Sequence, residues 1–153
     1  MTGFQSETWP DLAGRLEEGQ HRLPVRVYYE DTDFSGLVYH VSYLRWCERG
    51  RTDFVRQIGL GQKEMFEGEG DEQRFFVVRR MEIDYLKPAL MDDVLEVLTH
   101  VEEVGVASVG LQQSIVREGT VLFRAKVTIV LLGGNGRPQR LTSAMKDVFL
   151  PAR

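Results

Sequence analysis

The stretch YYEDTDFSGLVYHVSYLRWCERGRTDFVRQIGLG, residues 28–61, changes its hydrophobic period part-way along. Ahead of it and into its first residues, Val25-Arg26-Val27-Tyr28-Tyr29 is β-branched and aromatic with alternation, which reads as a strand. From His40 to about Ile58, Val41, Leu44, Cys47, Phe54, Val55 and Ile58 recur at three- and four-residue intervals, the period of a helix. Gly59, then Gly61, ends that helix. Between the two periods lies a polar turn, Asp31 to Gly36. Gly50 in the helix costs about 1 kcal/mol relative to alanine. Close approach of another part of the chain, such as a sheet wrapped around the helix, gives it a reason.

Past a glycine- and glutamate-rich linker, residues 67–72, the remainder reads as strands. Phe75–Tyr85 is one, broken by Lys87-Pro88, and Val94–Val104 is another. Val106–Arg117 and Val121–Leu132 flank Glu118-Gly119, a hairpin signal. Gly133-Gly134-Asn135-Gly136 ends the run. The tail, Ser143–Leu150, is expected to add a last turn of helix or a short edge strand. A helix followed by sequential antiparallel strands predicts an α+β fold, one sheet curling around one long helix. Residues 1–22 are polar and weakly patterned, an N-terminal extension in which Asp11–Glu18 has the makings of a short helix. The domain is expected to span residues 23–153. An open sheet leaves edges, so pairing with a second copy is expected.

The whole chain narrows the function. Its 153 residues suit one domain, and 42% hydrophobic with 27% charged residues is a globular composition. A net charge of −4 argues against broad nucleic-acid binding, while leaving room for a local basic patch. One cysteine, Cys47, excludes an internal disulfide framework and a cysteine-rich zinc site. No stretch is long and apolar enough to span a membrane, and no secretory leader is visible, so a cytoplasmic protein is expected.

Asp31-Thr32-Asp33-Phe34-Ser35-Gly36 imitates the first half of a calcium-binding EF-hand loop. The imitation fails at its twelfth position, Ser42, which cannot supply a bidentate carboxylate, and at the strand that precedes it. No metal and no cofactor are expected. Asp33 has the apolar neighbours Phe34, Leu37, Val38 and Tyr39, and an apolar pocket raises a carboxylate's pKa and makes it a better base. The helix beginning near His40 offers unpaired backbone N–H groups that can polarise a carbonyl oxygen. Carboxylate plus helix N-terminus is a site for acyl transfer, with a plain polar turn as the alternative. Cys47 falls on the apolar stripe and reads as a core thiol. Arg79 and Arg80, on opposite faces of a strand, and Arg137, beside the glycine turn, are candidate phosphate contacts.

Val25 to Asp33, then Gly36-Leu37-Val38-Tyr39-His40, Tyr43-Leu44 and Glu48-Arg49-Gly50-Arg51-Thr52, resemble the signature of YbgC-type acyl-CoA thioesterases. These belong to the 4-hydroxybenzoyl-CoA thioesterase branch of the hotdog fold. The likeness continues through Phe76-Val77-Val78-Arg79 and Tyr85-Leu86-Lys87-Pro88-Ala89. It implies a helix wrapped by an antiparallel sheet and a homodimer or homotetramer. It implies hydrolysis of acyl-CoA, with Asp33 as nucleophile or general base and the backbone N–H of His40 holding the thioester oxygen. Tyr39 and His40 side chains would shape the pocket, and Phe34, where small residues are common, would bear on substrate choice. Arg79, Arg80 and Arg137 would meet CoA phosphates across a dimer seam. The resemblance also brings in acyl carrier protein or lipid-synthesis enzymes as partners. Its alternatives are a dehydratase of acyl thioesters on the same fold, or a scaffold near the Tol-Pal envelope system.

Overall fold

The computed structural model describes residues 12–61, 65 and 73–152. Among the described residues six strands and two α-helices follow in order: β1 (Arg15–Glu17), β2 (Gln20–Arg26), α1 (His40–Gln57), β3 (Arg74–Tyr85), β4 (Val94–Val104), β5 (Ser108–Arg117), β6 (Thr120–Gly133) and α2 (Ser143–Phe149). All neighbouring strands are antiparallel, in the sheet order β1-β2-β4-β5-β6-β3. The fold is the expected α+β arrangement. The expected linker over residues 67–72 lies outside the described residues.

One face of the sheet and α1 share a core. Tyr43, Trp46, Cys47 and Phe54 of the helix are buried against Leu95 and Val97 of β4, Leu111 and Ile115 of β5, and Phe123 and Val127 of β6. A β-carbon at Gly50 would lie 2.8 Å from Val97 Cγ1 and 3.3 Å from both Gln113 Nε2 and Thr99 Oγ1. The glycine therefore answers a close approach, and what approaches is a set of sheet side chains. Gln113 is fully buried there and donates to the Cys47 carbonyl at 3.0 Å and to Thr99 Oγ1 at 2.9 Å, while Arg51 donates to its Oε1 at 2.9 Å. The tail is helical. Thr142 Oγ1 accepts the Met145 N–H at 3.1 Å as an N-cap, and α2 lays buried Phe149 against Phe54 and Phe76.

Three local readings need correction. Arg15–Glu17 is a strand, where a short helix or a loose extension was expected over Asp11–Glu18. Glu18-Gly19 turns the chain back with φ of 51° and 77°, so β1 and β2 form a hairpin like the one at Glu118-Gly119, where φ is 49° and 81°. The sheet thus begins ahead of Leu23. Secondly, the strand expected over Val25–Tyr29 is β2, which ends at Arg26. Asp31 takes the Tyr28 N–H at 2.8 Å and closes a 3₁₀ turn over Tyr29–Asp31. Thirdly, β3 does not alternate strictly. Val78 pairs with Ile129 and Arg80 with Thr128, so Arg79 is an extra, bulged residue. Ahead of the bulge Phe76 and Val78 face the helix side; past it Met81, Ile83 and Tyr85 do.

Candidate active site

The turn after β2 is held by Asp31. Its carboxylate accepts the Tyr28 N–H, and its carbonyl accepts the Tyr39 N–H at 2.8 Å and the Ser42 hydroxyl at 3.0 Å. Asp31 is a turn residue, as its residue type favours. The chain then doubles back. Thr32 bridges Val38, and the Asp33 N–H donates to the Leu37 carbonyl at 2.9 Å. Gly36, at φ 83°, makes the reversal possible. Leu37 bridges Leu90 and the Val38 N–H donates to the Ala89 carbonyl at 3.0 Å, which ties the turn to the segment after β3.

Asp33 sits at the exposed tip of this turn, with its Oδ1 accepting both the N–H of Ser35, at 2.8 Å, and the Ser35 hydroxyl. The expectation of a raised pKa is overturned. The Ser35 hydroxyl, then the Ser35 N–H, hold the carboxyl below the usual carboxylate range, with a smaller lowering from the nearby His40 imidazole. Hydrogen bonds to the charged form outweigh the slight burial at this solvent-facing position.

His40 opens α1 and Tyr39 caps it in extended conformation. The backbone N–H groups of His40 and Val41 make no hydrogen bond among the described residues, as the first turn of a helix dictates. No acidic side chain lies in that first turn to compete for them. The His40 ring packs edge-on to Tyr39 at 4.6 Å and faces Tyr85 at 6.4 Å. Beside the helix mouth is a depression of about 380 Å³, lined by Leu37, Val38, His40, Tyr43, Tyr85, Leu86, Lys87 and Pro88. Asp33 stands next to this depression without lining it.

The other expected contacts lie elsewhere. Phe34 projects from the turn tip fully exposed, and Tyr39 is half-exposed on the same end. Arg80 pairs with Glu82 at 2.7 Å on the face of the sheet away from the helix. Arg79 is the bulge, so the two arginines are not placed by simple alternation. Arg137, exposed in the turn after β6, is at the Arg74 end of β3, while His40 is at the Tyr85 end. Roughly 35 Å of strand separates them within one chain. Tyr85 and Ser35 stand in this candidate site without having been expected there: Tyr85 lines the depression and Ser35 holds the Asp33 carboxylate. Serine two positions after an aspartate is a readable turn signal, whereas the orientation of Tyr85 depends on the bulge. Among the described residues no group of three His, Cys, Asp or Glu side chains is placed to hold a metal ion.

The Thioesterase-like superfamily profile matches residues 27–152. The acyl-CoA thioesterase YbgC of Haemophilus influenzae is 39% identical over 128 residues, which covers 83% of this chain and 92% of that protein. The chain belongs to the YbgC family of this superfamily. A second family member, the acyl-CoA thioester hydrolase YbgC of Escherichia coli, is 43% identical over 110 residues, 71% of this chain and 79% of that one. The crystal structure of a probable thioesterase from Bartonella henselae superposes on this YbgC-family chain with a TM-score of 0.77 at 41% identity. It covers 80% of this chain and 99% of that structure, and the shared architecture is the hotdog fold.

Proposed function

We propose that this YbgC-family protein hydrolyses acyl-CoA thioesters to the free acid and CoA. One juxtaposition carries the reading: an ionised carboxylate, Asp33, on a turn braced against the mouth of a helix whose His40 and Val41 N–H groups are unengaged. In this reading the thioester oxygen rests on the His40 N–H, and charge developing on that oxygen meets the positive end of the helix. Asp33 either attacks the carbonyl carbon, forming an anhydride that water opens, or takes a proton from the attacking water. In both routes the C–S bond breaks and the thiolate leaves as CoA. Its depressed pKa keeps Asp33 ionised at neutral pH, which suits a nucleophile better than a tuned base.

The acyl group lies in the depression between Leu37, Tyr85 and Pro88, and the exposed Phe34 and Tyr39, outside its lining, bear on substrate choice in the same reading. Arg137 is too far along β3 to serve its own chain's site, so as a CoA contact it acts on the site of a second copy, which joins through the open edge of β3. A homodimer or homotetramer, a cytoplasmic location, and acyl carrier protein or lipid-synthesis enzymes as partners belong to the same proposal. So does its alternative, a scaffold of the Tol-Pal system.

The test is Asp33→Asn assayed on acyl-CoAs from short aliphatic to long-chain and aromatic. The expected result is a fall of kcat by about a hundredfold or more. Turnover at the wild-type rate would sink the assignment. A larger loss from His40→Ala than from Asp33→Asn would move it to the dehydratase.

A further inference from the structure

Tyr85 is the last residue of β3, and the Arg79 bulge decides where it points. Were Arg79 paired in strict alternation like its neighbours, the face that carries Phe76 and Val78 would continue through residues 80, 82 and 84. With the bulge, Tyr85 turns toward α1. Its ring meets Tyr43 at 5.6 Å and 78°, Phe123 at 5.2 Å and 71°, and His40 at 6.4 Å and 77°. Tyr43 and Phe123, both buried, are themselves stacked at 5.3 Å and 7°. Held on three sides, the phenol has one hydrogen-bond partner among the described residues: its hydroxyl donates to the His40 carbonyl at 2.8 Å. Burial raises the pKa of this hydroxyl, with Tyr43 and Cys47 adding to it, so the group remains a donor throughout the neutral range.

The acceptor is the informative part of this bond. The His40 carbonyl and the Val41 N–H are the two ends of one planar peptide unit. A donor on the carbonyl polarises the N–H at the other end and strengthens it as a donor. The preceding unit has the same arrangement, because the Tyr39 carbonyl accepts the Ser42 N–H at 2.9 Å, behind the His40 N–H. Both peptide units at the helix mouth therefore carry a hydrogen bond on the carbonyl side and an unengaged N–H on the other.

We propose that Tyr85 is a positioning residue of the thioesterase reaction, which acts through the His40 carbonyl to fix and strengthen the Val41 N–H, a second donor to the thioester oxygen beside the His40 N–H. Tyr85 also fixes the peptide plane itself, since an oxyanion donor contributes only when aimed at the oxygen's position in the transition state. This inference rests on the thioesterase reading and goes beyond it in assigning a role to a side chain remote in sequence from the Asp33 turn.

Tyr85→Phe removes the hydroxyl and keeps the ring. The expected result is a fall in kcat of about tenfold with KM changed less than about twofold, since the lost contribution is made in the transition state. In the Asp33→Asn background, a thioester labelled with ¹³C at the carbonyl gives an infrared band whose shift to lower frequency shrinks on adding Tyr85→Phe. In the free protein, the Val41 amide proton moves upfield in ¹⁵N–¹H spectra. Circular dichroism checks the fold; should Tyr85→Phe fail to fold, 3-fluorotyrosine at position 85, a sharper donor on the same ring, is expected to move both spectral signals the opposite way. An unchanged kcat with unmoved carbonyl and Val41 signals overturns the proposal. The free-protein Val41 measurement needs no substrate, so it judges Tyr85 even if no thioester is turned over, an outcome that would instead remove the thioesterase reading.

Discussion

Asp33 and Asp31 stand two residues apart, and hydrogen bonds divide their roles. Asp31 is spent on structure, with the Tyr28 N–H on its carboxylate and two further donors on its carbonyl. Among the described residues the Asp33 carboxylate has only Ser35, and that partner lowers its pKa most. A carboxyl whose folded pKa is depressed stays ionised as pH falls past the ordinary value near 4, and is neutralised only below it. The acid limb of kcat/KM is therefore expected below the ordinary Asp range. Ser35→Ala removes the largest lowering and moves that limb to higher pH, which a ¹³C titration of the Asp33 carboxyl checks directly. The D-x-D-x-S-G spacing made the turn legible, and the resemblance picked out Asp33. The direction of its pKa was not legible. Apolar neighbours in sequence suggested burial, but the turn tip presents Asp33 to water while Phe34 points away into solvent.

At the scale of the element, β3 and α1 each contain one residue that breaks a local rule for a packing reason. Deleting Arg79 would remove the bulge and restore strict alternation with Arg80 still opposite Thr128, so Met81, Ile83 and Tyr85 keep the helix face, whereas Arg79→Ala keeps the extra residue. Both variants are expected to keep cooperative unfolding, the substitution with a stability change of less than about 0.5 kcal/mol; urea melts check both. In α1, Gly50→Ala gains about 1 kcal/mol of helix propensity but pushes a methyl into Val97, a stiff β-branched neighbour. Overpacking costs about 1–3 kcal/mol, so a net loss of about 1 kcal/mol is expected in urea unfolding at constant m-value. Helix and strand periods were plain in the sequence. The bulge was not, because one inserted residue leaves the composition of a strand unchanged. The Glu18-Gly19 hairpin carried the same signal as Glu118-Gly119, but its strands are short and polar and do not announce themselves.

Across the whole molecule, one buried carboxylate joins the first hairpin to the central helix. Asp53 of α1 accepts from the Gly14 N–H at 2.8 Å and from Gln57 at 3.1 Å, and lies 2.6 Å from fully buried His21 Nε2. Gly14 admits no side chain, since a β-carbon there would come within 2.3 Å of the Arg22 carbonyl. Asp53→Ala leaves these groups without their acceptor and is expected to cost about 2–4 kcal/mol. Hydrogen exchange should rise first in residues 14–22, then elsewhere. The overall plan, one sheet around one helix, followed from element order alone. This tie did not, because nothing in the spacing of His21 and Asp53 reveals that the fold brings them together.

Cys47 belongs to that same core. The chain has no other cysteine, it is fully buried, and burial pushes its thiol pKa up to about 12. A thiol in that state does not react with an alkylating reagent until the sheet parts from α1. The native sequence thus carries its own clock for opening. The rate at which Cys47 is alkylated under native conditions, compared between wild type, Gly50→Ala and Asp53→Ala, would measure how often the wrapped helix is laid bare.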